Sequence, residues 1–345
     1  MYLGIEIGGT KLQLGVGDGQ SNRLVALKRF DVNQSQGAMG ILGQIDSGVT
    51  ALRQKHAVDR IGIGFGGPID VVAGRVIKSH QIEGWDDFAI VDWCRAQFNL
   101  PIALGNDCDC ATLAESQIGA GRAYRSVFFL TVGTGIGGGF ALDGQLMGSD
   151  RLGGVRPAIA EIGHLRPGPQ SDRSEMTVES ISSGPGIVNN ARARIAGIVA
   201  GSIEEIRNPA PFVKSQMELR LHNATESDHE YVNDLLSRCE NDLNQLTGKI
   251  ISQAAHEGNK IAQSAIDHGI SVLGWAIAQV VTLLAPQVIV VGGGVSLMGE
   301  QQFFAPLRQQ ISKYVFPVLK DSYNVTPAAL EEEVVVHGAI LLAKQ

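Results

Sequence analysis

The chain has 345 residues, of which 44% are hydrophobic and 18% charged, and a formal net charge of −7. This length supplies two domains of about 150 residues with a cleft between them, and the composition excludes a disordered or fibrous polymer. An acidic balance without any Lys/Arg run opposes a nucleic-acid groove or an anionic membrane surface, so a small-molecule partner is expected, with no nucleic acid and no membrane.

In chain order, "YLGIEI" and "LQLGV" alternate as two strands about the turn "GGTK", and "RLVALKRFDV" follows as a third run. Residues 36–56 carry a helical pattern, and "RIGIGFGGPID" reads as an apolar strand ending in a turn. Strand "PIALG" gives way to "NDCDCATLAESQIGAG", where Asn106 or Asp107 caps a predicted helix over Ala111 to Ile118. The pattern then restarts: "SVFFLTVGTGIGGGFALDGQLM" is again strand, glycine turn and strand, so residues 2–18 and 126–144 look like two copies of one hairpin unit. A long helical stretch breaks at Pro286, followed by the buried strand "QVIVVGGG", a helix from about Leu297, and "EVVVHGAILLAK" as an apolar helix or a strand running into one. Two α/β halves about a cleft fit this order. The N-terminus has no signal-like region and no stretch reaches about 18 uninterrupted apolar residues, which predicts a cytoplasmic protein. Cys94, Cys108, Cys110 and Cys239 are too few and scattered for a disulfide framework.

Three glycine turns follow strands: Gly8 and Gly9, Gly133 to Gly139, and Gly292 to Gly294. Each can expose backbone N–H groups in a concave nest for phosphate oxygens, or can be a plain tight turn. No Walker string occurs. Gly133, Gly135 and Gly138 fit G-x-G-x-x-G, but "FALDG" after them reads as a strand where a dinucleotide fold needs a helix.

Together "IEIGGTK", "GFGGPID", "IEGWDDF", "GNDCDCATLAE", "LTVGTGIGGGFALDGQL", "AEIGH", "VESISSG", "LTGKIISQAAHEGNKIA" and "VIVVGGGVS", in this order, resemble the ROK family of bacterial sugar kinases and sugar-responsive repressors. The resemblance covers nearly the whole chain. It implies an α/β, two-lobed ribonuclease-H-like ATPase fold shared with actin, Hsc70 and hexokinase. Residues 1–119 would form a smaller lobe, completed by a C-terminal helix about 334–345, and residues 120–333 the larger lobe.

The resemblance also implies roles. Gly8, Gly9, Thr10 and Lys11, with Gly133, Thr134, Gly135, Gly137 and Gly138, would form two opposed phosphate hairpins, and Gly292, Gly293 and Gly294 would lie beside the adenosine. Asp107 matches the general base; Asn106, Gly67, Glu161, His164 and Glu179 match the sugar site. ATP and Mg²⁺ are the implied cofactors, with Glu6 positioning the hydrated metal, and a homodimer the implied assembly. Without the resemblance, Asn106 and Asp107 are an ordinary helix cap. Asp109 reads as a solvated first-turn carboxylate favouring the helix dipole.

Three departures stand out. Members of the family follow Gly-His with G-x-x-C-x-C-G-x-x-G-C, a structural zinc motif, but "RPGPQSDRSEMT" here holds no cysteine, which predicts that the zinc is missing. Glu6 stands where kinases of the family carry Asp. Gln81 stands where they carry Asn, while Trp85 reads as a packing residue. The segment around 203–236 reads as a helical insertion. The expectation is an ATP-dependent hexose kinase phosphorylating a 6-OH, as in glucose; an N-acylhexosamine kinase and a non-catalytic sugar or nucleotide sensor are the alternatives. A repressor is disfavoured by charge and by the absence of a DNA-binding segment ahead of Tyr2.

Overall fold

Alternation in the first segment builds the first sheet. In the computed structural model, which describes residues 1–79, 81–147, 160–168, 171–173, 175–200 and 226–345, β1 (Tyr2–Ile7) and β2 (Lys11–Gly17) pair as an antiparallel hairpin. Leu3, Ile5, Ile7, Leu12, Leu14 and Val16 are buried in one core. β3 (Ala26–Asp31) extends the hairpin, and α1 (Gly37–Arg53) returns the chain as β4 (Arg60–Phe65), parallel to β1. A short ribbon, β5 (Ile69–Asp70) and β6 (Arg75–Val76), and α2 (Ile90–Phe98) lead to β7 (Ile102–Asn106), giving the order β3-β2-β1-β4-β7.

After α3 (Asp107–Gln117), the plan repeats. β8 (Ser126–Val132), β9 (Ile136–Leu142) and β10 (Gln145–Leu146) are antiparallel neighbours. Among the described residues, the helices that follow are α4 (Val178–Ser182), α5 (Gly184–Ala200), α6 (Glu226–Arg238), α7 (Gly248–His256) and α8 (Lys260–Leu284). β11 (Val288–Gly292) lies parallel to β8, then α9 (Ala305–Tyr314) leads to β12 (Asn324–Pro327), parallel to β11. The second order, β10-β9-β8-β11-β12, matches the first strand for strand, so the duplicated hairpin seen in the sequence is the start of a duplicated sheet.

α8 is long and apolar enough by composition to cross a bilayer, but its Ile266, Ile270, Leu273, Ile277 and Val281 are buried in the second core. It ends where Ala285 takes a left-handed conformation and donates its N–H to Val281 O, one residue before Pro286.

The chain ends in α10 (Val334–Lys344), a helix throughout, which packs on β1 and β4 and against α3. Close approach requires glycine: a methyl group on Gly62 would sit 1.8 Å from Ala339 O, and one on Gly338 would sit 1.9 Å from Cys110 O. α3 in turn packs on β8 and β9, so α3 and α10 stand together between the two sheets.

The expected helix over 111–118 begins four residues earlier, because Asn106 supplies a working cap. The helix expected near Leu297 is present: a 3₁₀ turn at Ser296–Met298 leads into a π-helical turn at Glu300–Phe304 that continues directly as α9. Of the segment around 203–236, residues 201–225 lie outside the described residues, while 226–238 form α6.

Candidate active site

β7 delivers Asn106 and Asp107 to the point where strand becomes helix. Asn106 Oδ1 accepts from the N–H groups of Cys108 (2.8 Å) and Asp109 (3.4 Å), and its Nδ2 donates to Gly67 O (3.2 Å). Asn106 therefore ties α3 to the turn after β4, where Gly67 has φ +154°. Asp107 Oδ1 accepts from Cys108 N at 2.9 Å; a methyl on Gly66 would lie 3.3 Å from Oδ2 and 3.3 Å from Ile7 O. The carboxylate thus faces the end of β1. Burial pushes its pKa up while the Cys108 N–H pulls against it.

Asp109 is not the solvated residue its first-turn position suggested. It is partly buried, and burial, reinforced by Asp107 and Glu161, raises its carboxyl to about 7.

Both hairpin tips are glycine turns, the first between Ile7 and Leu12 and the second, one residue shorter, between Val132 and Ile136. In the first, Gly8 N donates to Lys11 O (3.1 Å); in the second, Gly133 N donates to Gly135 O (2.9 Å). Among the described residues, the N–H groups of Gly9, Thr10, Thr134 and Gly135 have no backbone or side-chain acceptor at these tips. Gln81 lies over the first tip, its Oε1 where a methyl on Gly9 would go.

The five glycines of 133–139 divide by task. Methyl groups on Gly137 and Gly139 would strike Cys108 Sγ at 2.3 Å and Thr112 Oγ1 at 2.1 Å, so these glycines let α3 lie against β9. One on Gly138 would lie 2.8 Å from Ala160 O, and one on Gly135 2.7 Å from Glu179 Oε2. Only Gly133 of the five has open space, its nearest atom being Gly294 N at 4.0 Å. Gly293 (φ +86°) sits against Val132 O, whereas a methyl on Gly294 would meet nothing within 4 Å. Gly292 ends β11.

Glu6, buried at the end of β1, accepts from Gln13 Nε2 (2.6 Å) through Oε2, and Lys11 Nζ lies 3.6 Å from Oε1. Burial raises its pKa, Lys11 and Gln13 lower it, and Asp107 raises it again, which puts Glu6 and Asp107 in one electrostatic environment.

From the second lobe, Glu161 and His164 bracket the turn Ile162–His164, with His164 N donating to Glu161 O (3.1 Å). Glu161 is exposed, yet partial desolvation raises its carboxyl; His164 opposes this, and Asp107 and then Glu179 add to it. Glu179, in α4, spends Oε2 on Ile136 N (2.8 Å) and so pins the second tip to α4. The structure therefore brings Glu6, Asp107, Glu161, Glu179 and His164 to one neighbourhood. Trp85 is 1% exposed, edge-on to Phe65 and Phe88, a packing residue as its context suggested.

Beside the second tip lies a cavity of about 990 Å³, lined by Gly133, Thr134 and Gly294 and by Gly184, Thr247, Lys249 and Met298, among others. The ROK family model matches residues 2–345. The chain belongs to the ROK family. It is 28% identical to a glucokinase of Halalkalibacterium halodurans, covering 100% of this chain and 95% of that one, and 26% identical to a glucokinase of Thermotoga maritima, covering 99% and 97%. Among solved structures it is similar to a ROK family glucokinase from Streptomyces griseus in complex with glucose and AMPPNP: 26% identity, TM-score 0.75, covering 100% of this chain and 99% of the other. The fold is accordingly the two-lobed actin/hexokinase-like ATPase fold.

Set within the ROK fold, the loop after His164 is closed by hydrogen bonds of its own. Val178 N donates to Leu165 O (2.8 Å), Ser171 Oγ to Pro167 O (3.1 Å) and Arg166 to Asp172 O (3.3 Å). Sequence reading missed the cavity wall from α5 and α7 and the polar residues behind Glu6. "LTGKIIS" was visible as a motif, and the Thr-Gly-Lys start of a helix was the signal that could have placed it.

Proposed function

We propose that the chain is an ATP-dependent sugar kinase of the cytoplasm, transferring the γ-phosphoryl group to the 6-OH of a hexose such as glucose. The carrying observation is the setting of Asp107: a helix cap and a glycine turn hold its carboxylate between the end of β1 and the Glu161 side of the second lobe. Whole-length similarity to glucokinases, one of them solved with glucose and AMPPNP, supports the same reading.

The residues present fit a nucleotide. Glycine leaves open space at Gly133 and Gly294 on the wall of a cavity large enough for one, and each hairpin tip offers two N–H groups suited to phosphate oxygens. Thr134, Gly135, Gly9 and Thr10 would hold the phosphates, with Lys11 nearby and Glu6 taking the hydrated Mg²⁺. When bound, Mg·ATP supplies the phosphoryl group and the cation that offsets its charge.

The chain's own residues do the rest. Asp107 accepts the hydroxyl proton at a carboxylate whose burial has moved its pKa toward neutrality, as a general base requires. Asn106 has one Nδ2 hydrogen beyond its bond to Gly67, available to the sugar. Glu161 and His164 offer acceptors and a ring that both donates and accepts, suited to sugar hydroxyls. Glu179, one oxygen committed to Ile136 N, has the other for the sugar. Closure of the lobes would exclude water, the competing acceptor.

The test is ADP release from Mg·ATP across hexoses, hexosamines and their N-acetyl forms. Turnover with glucose or a close hexose is expected. Turnover confined to an N-acetyl sugar would move the substrate to the N-acylhexosamines, and none with any sugar would overturn the kinase reading.

A further inference from the structure

Gln13 is fully buried in the middle of the first sheet, where a side-chain amide is costly unless every group is paired. Strand register places Glu6 opposite Gln13 and Gln13 opposite Arg29, so three polar side chains stand in line across β1, β2 and β3. Both hydrogens of Gln13 Nε2 are committed, to Glu6 Oε2 at 2.6 Å and Glu332 O at 2.9 Å, and Oε1 accepts from Arg29 Nε at 2.7 Å. Arg29 can only donate and Glu332 O can only accept, so these partners fix which end of the amide faces which. Arg29 also pairs with Glu333, at the start of α10. The amide is therefore clamped from two sides, and its one remaining job is to grip Glu6.

We propose that Gln13 is the positioning residue for Glu6: it holds Oε2 against the sheet and thereby turns Oε1 toward Lys11 and the first hairpin tip. This rests on the kinase reading for what Glu6 would meet there, a hydrated divalent cation carried by the nucleotide phosphates. The lengths are matched. A carboxylate one methylene shorter at position 6 would fall short of the amide, so Glu6 and Gln13 act as a pair, and this pairing accounts for a Glu where a shorter Asp is the family's habit.

Calorimetric titration with Mg·ADP, and separately with ADP in EDTA, tests this on wild type, Gln13→Met, Glu6→Asp and the double variant. Gln13→Met keeps the length and removes the grip. It is expected to weaken Mg·ADP by about 10-fold, the usual scale for a residue that orients a metal ligand, and to leave metal-free ADP unchanged. Glu6→Asp is expected to do the same, and the double variant to lose little more than either alone, because both remove one interaction. Equal weakening with and without metal, no weakening, or fully additive losses would overturn the proposal. Should wild type bind no ADP at all, the kinase reading fails and a crystal structure of Gln13→Met decides this one: a displaced Glu6 carboxylate supports it, an unmoved one overturns it.

Discussion

At the scale of single residues, burial raises the carboxyls of Glu6, Asp107, Asp109 and Glu161, and neighbouring carboxylates add to the rise at Glu6, Asp109 and Glu161. Asp109 shows the consequence most plainly, since its carboxyl is raised to about 7 by desolvation and by the Asp107 and Glu161 charges. Its folded value lies above its unfolded one, so its favourable contribution is complete below the ordinary carboxylate range and is lost as pH rises through about 7. Asp109→Asn is therefore expected to raise the Tm well above neutrality and to change it little in acid; thermal denaturation across pH checks this, and a gain confined to acid would contradict it. Sequence position alone misread Asp109 because first-turn placement says nothing of what the second lobe brings opposite. Of the two cap candidates that the sequence offered, Asn106 is the cap and Asp107 the first helical residue, since the strand-to-helix transition falls between them.

At the scale of elements, the glycines of the second hairpin divide between Gly137 and Gly139, packed against α3, and Gly133, which has open space on the cavity wall. Their clustering was plain in the sequence, but which of them face α3 depends on where a helix some thirty residues earlier comes to lie. Gly137→Ala would drive a methyl to 2.3 Å from Cys108 Sγ and displace the first turn of α3, which carries Asp107. A loss of about 1–3 kcal/mol is expected by urea denaturation, as for other overpacked contacts. Gly294→Ala meets open space and lines the cavity, so its stability is expected to stay within about 0.5 kcal/mol of wild type while ADP affinity falls. If Gly294→Ala unfolds the protein and Gly137→Ala does not, the division of tasks is wrong.

At the scale of the whole molecule, one buried carboxylate joins the segment between α3 and β8 to the segment between β12 and α10. Glu115 of α3 accepts from Ala120 N (2.7 Å), just before β8, and from Ala329 N and Leu330 N (2.9 Å each), just after β12. Removing it leaves three amides without their acceptor, at about 1–3 kcal/mol for each that stays buried. Glu115→Ala is expected to lower stability by roughly 3 kcal/mol or more; a change under about 1 kcal/mol would show that the two segments hold without it. The duplicated architecture was readable because each half opens with the same hairpin pattern, whereas Glu115 and Gln13 were silent, being polar residues whose partners lie more than 200 and 300 positions away. The central claim is that Asp107 takes the proton of a sugar hydroxyl in this cleft, and the most direct measurement is kcat of Asp107→Asn beside sugar and ADP affinities of the same variant. A fall in kcat of at least about 100-fold with both affinities nearly unchanged is expected for loss of a general base. Retained kcat would contradict the account.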